Sequence, residues 1–291
     1  MPPKLGDSSG NSVLGGGHVQ SDIPTKRVIQ YSHLSNRDVL YSKRIWRTID
    51  LRQKHNYPLF YPTEPTDDDR MSLFDVIKWG ALTEGSLTLY EPRLTSTGFD
   101  DQFRFPVIKD SGESQEEFDF RKRLLFGERL LIPVFNEDGT FKYDNEGNQL
   151  FMDTIEYYES RDIVKYEIKE DWFFDKVKSV MDVRIIGISP VVNYVDNTTG
   201  TVLGTKNLFW LYFPECRYTF QNFSVNNPNN DAMPMSFDDL FWKRDFNSYI
   251  HKESNVFDRT VDPTWMGVDA LLESERIKKD QFKMEHDLWN L

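Results

Sequence analysis

The chain has 291 residues, a formal net charge of -12, 38% hydrophobic and 14% aromatic content, and a single cysteine. A surface this acidic repels nucleic acid and anionic lipid, and one thiol excludes an intramolecular disulfide framework. No run approaches the roughly 18 apolar residues needed to span a bilayer. The longest, residues 208–213, has the length of a strand.

The length allows one or two domains, and the expected layout is an arm over residues 1–30 followed by one domain over 31–291. Seven Trp, thirteen Tyr and twenty-two Phe can fill a core despite modest aliphatic content, and the same residues suit interface anchors. No apolar segment follows Met1-Pro2-Pro3-Lys4, the pattern of a cytoplasmic chain or of a mature form with an added start Met. The arm carries Gly15-Gly16-Gly17 and few large apolar groups, so it cannot offset its own ordering entropy. It reads as disordered, or as a tail that docks on a neighbouring subunit.

A first helix is expected after Ser35 or Asn36, with Val39, Ser42, Trp46 and Ile49 on one face. Tyr57-Pro58 and Tyr61-Pro62 should end it. A second helix follows Asp67-Asp68-Asp69, with Leu73, Phe74, Ile77 and Ala81 on its stripe. Those carboxylates fit a cap at a positive helix end better than a metal site. Glu137-Asp138-Gly139-Thr140 and Asn145-Glu146-Gly147-Asn148 read as hairpin turns. Asp144, Glu146, Gly147 and Asp153 fall at calcium-loop positions, but Lys142 occupies the leading carboxylate position, which rejects that reading.

Strands follow. Val164, Tyr166 and Ile168 alternate with Lys165, Glu167 and Lys169, and Val183 and Ile185 alternate with Asp182 and Arg184. Residues 196–200 turn the chain back, and residues 208–213, apolar throughout, read as a central strand. Cys216, Tyr218 and Phe220 alternate with Arg217 and Thr219, which places the thiol on an apolar face as a small buried group. Short connections make an antiparallel meander. Ser236 and Asp239 form a capping box before a helix carrying Phe237, Leu240, Phe241, Trp242, Phe246, Tyr249 and Ile250. A charged helix over residues 267–290 closes the chain, with Val268, Leu271, Leu272 and Phe282 apolar and Trp289 an anchor near its tip. The fold class is α+β: an antiparallel meander packed with several helices.

Catalytic patterns are missing from the sequence. It has no GxGxxG or GxxxxGK[ST] string, and His18, His33, His55, His251 and His286 are scattered without HExxH spacing. Glu116/Glu117 and Asp238/Asp239 are adjacent pairs, which point about 100° apart on a helix and cannot face one substrate. Asp153-Thr154-Ile155 fits a short O-glycosylation pattern but reads as an ordinary strand threonine. These features place the chain among non-enzymatic proteins with no cofactor or metal.

Several long strings in one order resemble the GldN/PorN family. They are residues 41–52, with Lys43-Arg44-Ile45-Trp46-Arg47, and residues 56–62. Residues 169–190 follow, with Asp171-Trp172-Phe173-Phe174-Asp175, and then residues 208–217. The last is 236–259, ending His251-Lys252-Glu253-Ser254-Asn255-Val256-Phe257-Asp258-Arg259. The resemblance implies a periplasmic structural subunit of a ring in type IX secretion and gliding in Bacteroidetes. It implies assembly with an outer-membrane lipoprotein, GldK/PorK, contact with GldM/PorM, self-association in a ring, and no catalytic residues. The candidate contact residues are Trp172, Phe173, Phe174, Trp242, Arg244 and Tyr249, each with a core alternative. A monomeric cargo-binding module and, behind it, a hydrolase are the competing functions.

Overall fold

A computed structural model describes residues 27–64, 70–95, 98–99, 101–134, 141–143, 149–196, 200–227 and 235–288. The arm up to residue 26, the Asp67-Asp68-Asp69 triplet, both turn signals, the Asp144/Glu146/Gly147 loop and Trp289 lie outside them. The chain divides into two compact units, one of residues 1–106 with 160–291 and the other of residues 107–159.

In the first unit the chain runs β1 (Val39–Asp50), α1 (Tyr57–Phe60), α2 (Leu73–Lys78), β2 (Leu89–Tyr90), β3 (Leu94–Thr95) and β4 (Gly98–Phe99). The second unit holds α3 (Gln115–Leu124), β5 (Gly127–Pro133) and β6 (Phe151–Tyr157). The first then resumes with β7 (Ile163–Asp175), β8 (Val180–Val195), β9 (Val202–Asn207), β10 (Trp210–Tyr212), α4 (Phe213–Phe220), β11 (Ser224–Val225) and β12 (Met235–Ser236). It ends with α5 (Phe237–Lys243), β13 (Tyr249–Glu253), α6 (Val261–Thr264) and α7 (Val268–Leu288). The main sheet has the order β13-β1-β7-β8-β10-β2, and β9 also pairs with β8. Each of these pairings is antiparallel. The expected α+β class holds, with a meander at β7–β8–β9 and the flank supplied by β1 and β13.

The first expected helix is instead β1. Positions 39, 42, 46 and 49 fit a helical repeat by coincidence, but Ile45 to Ile49 are all buried between β7 and β13. A strand covered on both faces shows no alternation, which removes the signal that separates it from a helix. Pro58 opens α1 instead of ending a helix, because its missing N–H falls where no intrahelical bond is needed. Asn56, buried after β1, donates to the Asp50 and Asn247 carbonyls at 2.8 and 2.9 Å and accepts from Asn247 N–H. It thereby ties the end of β1 to the approach to β13.

The second expected helix is present as α2, with Leu73, Phe74 and Ile77 buried. Its cap is Ser72, whose Oγ accepts from Asp75 N–H. Strand β7 is less one-sided than its alternation implies. Tyr166 and Ile168 are buried, but so are Lys169 and Glu170.

Residues 208–211 are buried, but the strand is short: β10 stops at Tyr212, and Phe213-Pro214 opens α4. Cys216 is buried as expected, on a helix rather than a strand. Phe213, Cys216, Arg217 and Phe220 form the inner stripe and Tyr218 points outward, which the two-residue alternation had reversed. Burial pushes the thiol far above its ordinary value.

The Ser236–Asp239 capping box opens α5 as expected. The helix stops seven residues earlier than Ile250, because Arg244 adopts a left-handed conformation (φ 57°) and Asp245 N–H returns to the Leu240 carbonyl. Tyr249 and Ile250 belong to β13 instead. Phe213, Phe220, Phe237, Phe241 and Phe246 form a chain of ring contacts at 5.3–6.3 Å that packs α4 against α5.

Candidate protein-interaction surface

Three of the six candidate contact residues converge on two charged clusters. Alternate positions of β7 share a face, so Glu170 and Trp172 project together. Glu170 is fully buried. Its Oε1 accepts from the Arg244 guanidinium at 2.7 Å, and its Oε2 accepts from Trp172 Nε1 at 2.9 Å. Arg47, from the neighbouring β1, forms an ion pair with the same Oε2 at 3.2 Å. Both guanidinium groups lie over the Trp172 ring, at 5.7 Å for Arg47 and 5.4 Å for Arg244. Burial pushes Arg47 below its ordinary value, against the pull of Glu170. Both carboxylate oxygens are engaged, the chemistry of a staple between β1, β7 and the end of α5.

A second cluster surrounds Trp242. Arg217 and Asp238 are buried and make a two-pronged pair, Nε to Oδ1 at 2.7 Å and Nη2 to Oδ2 at 3.1 Å. The Arg217 guanidinium lies 4.8 Å from both the Tyr31 and Trp242 rings, which themselves stack at 5.4 Å. Tyr31 precedes β1 and brings the incoming chain with it: Arg184 donates to the Ser32 carbonyl and Lys178 to Ser32 Oγ. Burial raises the Tyr31 hydroxyl, with Arg217 opposing. Around these groups lies a cleft of about 260 Å³ lined by Tyr31, Ile185, Arg217, Asp238, Trp242 and Arg244.

The six residues therefore do not share one surface. Phe173 and Phe174 are buried in the sheet, and they are core. Trp172 and Arg244 meet at Glu170, half-buried. Trp242, 44% exposed, and Tyr249, 39% exposed on the outermost strand β13, are open to solvent. Sequence reasoning missed Glu170, Arg47, Lys169, Arg217 and Asp238. Lys169 is 1% exposed, donates to the Asp101 carbonyl at 2.6 Å and lies over the Trp46 and Phe103 rings. The available signal was the run Ile168-Lys169-Glu170-Asp171-Trp172, charges set inside a strand too apolar at both ends to be a surface one.

Larger apolar exposure lies elsewhere. In the second unit, β5 and β6 pair with Leu131 opposite Asp153, Ile132 opposite Met152 and Pro133 opposite Phe151. Leu130, Leu131, Ile132, Phe151 and Met152 are all exposed. Backbone bonds among Val134, Lys142 and Leu150 extend this ladder. In the first unit, β8 and β9 end in a hairpin exposing Tyr194, Val202 and Leu203.

Among the described residues, no group of three or more His, Cys, Asp or Glu is placed to share a metal ion, and no helix is long and apolar enough to cross a membrane. No curated protein is similar enough in sequence to rank as a relative. Residues 34–290 match the family described as gliding motility associated protein GldN. That match spans nearly the whole chain and includes both charged clusters except Tyr31, so the chain belongs to the GldN family of gliding-motility components.

Proposed function

We propose that the chain is a structural subunit of a periplasmic ring serving type IX secretion and gliding. It would assemble with a GldK/PorK-like outer-membrane lipoprotein and engage a GldM/PorM-like component. The observation that carries this reading is the family match over residues 34–290. The geometry is consistent with it in two ways. Buried charges are spent on pinning elements together, which gives a rigid body instead of a reactive cleft. Exposed apolar side chains gather on the β5–β6 and β8–β9 hairpins, and a two-stranded ribbon is marginal in water without a surface to pack on.

Within this reading the contact role narrows from six residues to Trp242 and Tyr249, with Trp172 and Arg244 as their support. Trp242→Ala and Tyr249→Ala variants, each shown to be folded, are co-purified with the lipoprotein. Loss of the complex in either supports the assignment. Full retention in both removes these residues from the interface.

A further inference from the structure

Helix α7 has two apolar stripes, and among the described residues only one of them has a partner. Ala270, Ser274, Ile277 and Gln281 recur every three or four residues and face the sheet. Ile277 packs in a cluster with Ile45, Ile250 and Val261, and Ser274 Oγ accepts from Ile250 N–H at 3.2 Å. At about 100° per residue, Val268, Leu271, Leu272 and Phe282 fall within a separate arc of about 100°. All four are well exposed; Leu272 is 61% exposed and Phe282 71%.

Glu275 and Lys279 lie in the same arc, between the apolar ends. Neighbouring charges are satisfied within the chain, since Arg276 pairs with both Glu273 and Asp280. Glu275 and Lys279 hold no ion pair with any described residue. The stripe thus reads Leu272, Glu275, Lys279, Phe282, with intervals of three, four and three residues. Those intervals are the same from either end, and reversing the direction exchanges carboxylate for ammonium.

We infer that this stripe docks on the same stripe of a second copy, with the two α7 helices antiparallel about a two-fold axis level with residue 277. Leu272 then faces the partner copy's Phe282, and Glu275 faces its Lys279, each contact occurring twice. A parallel arrangement would oppose like charges and is disfavoured. The pairing is independent of the ring reading. A two-fold contact closes at two copies, whereas a ring needs a head-to-tail contact.

The test is a charge exchange on the full chain, read by sedimentation across a wide concentration range. Wild type is expected to move from one copy towards two as concentration rises. Glu275→Lys alone and Lys279→Glu alone each place like charges face to face, and each should weaken association about tenfold or more. An equimolar mixture of these two variants should associate again, as should the double variant E275K/K279E. Phe282→Ala should weaken association without loss of helical circular dichroism. A wild-type chain that stays single at every concentration overturns the inference. So does an association, of whatever size, that ignores the charge reversals.

Discussion

At the scale of single residues, the most consequential group is Glu170. Among the described residues it is the one carboxylate that pairs with Arg47 and Arg244, and it holds the Trp172 indole as well. Breaking a buried ion pair by removing one partner costs about 3–5 kcal/mol, because the other charge stays buried without compensation. Glu170→Gln is therefore expected to lose about that much stability in urea unfolding. Trp172→Phe, which removes one hydrogen bond and keeps the ring, should lose about 1 kcal/mol. Equal losses in the two variants would contradict the staple. This cluster was not legible in the sequence. Two arginines and a glutamate from residues 47, 170 and 244 converge only through strand pairing and a helix end, and no spacing rule links positions so far apart.

Acid sensitivity also belongs at this scale. Hydrogen bonds from Arg52 hold the Asp50 carboxyl below its ordinary value, and Arg276 does the same for Glu273. A carboxylate depressed in the folded state contributes stability above its unfolded value of about 4, and that contribution is lost as pH falls through the lowered value. Unfolding midpoints should therefore drop from about pH 5 to pH 3, and Asp50→Asn should drop less over the same interval. Both carboxyls are close to solvent, so the difference will be a fraction of a kcal/mol. An identical drop in the variant would remove Asp50 from the account.

At the scale of elements, local chemistry predicted starts better than identities or ends. Ser236 and Asp239 announced α5, and the structure supplies both halves of that capping box. Ser236→Ala should cost about 1 kcal/mol by chemical denaturation, and a loss indistinguishable from zero would mean the first turn of α5 is held by packing alone. The end of α5 was hidden because Arg244, not Gly or Asn, takes the left-handed position; its ion pair with Glu170 compensates the backbone cost. The start of α4 was hidden for a different reason. Residues 208–213 are uniformly apolar, so nothing in the pattern marks where β10 gives way to helix. Strand β1 was lost because both faces of its second half, residues 45–49, are covered, while the β7–β8–β9 meander was readable from alternation and short turns.

At the scale of the whole molecule, family membership rests on the match over residues 34–290, and the strings that carry the resemblance, all within residues 41–259, hold much buried chemistry. Trp46, Arg47, Glu170, Arg217 and Asp238 lie within those strings and hold β1, β7, α4 and α5 in place. The strings thus record how the body is built, and the exposed hairpins and α7 are where the proposed contacts fall. The central claim is that this scaffold serves assembly. Its most direct test is light scattering with electron microscopy on the chain alone and co-expressed with the GldK-like lipoprotein. The account predicts closed rings or a stable high-mass co-complex. A chain that remains single and ignores the lipoprotein would contradict it and move cargo binding to first place.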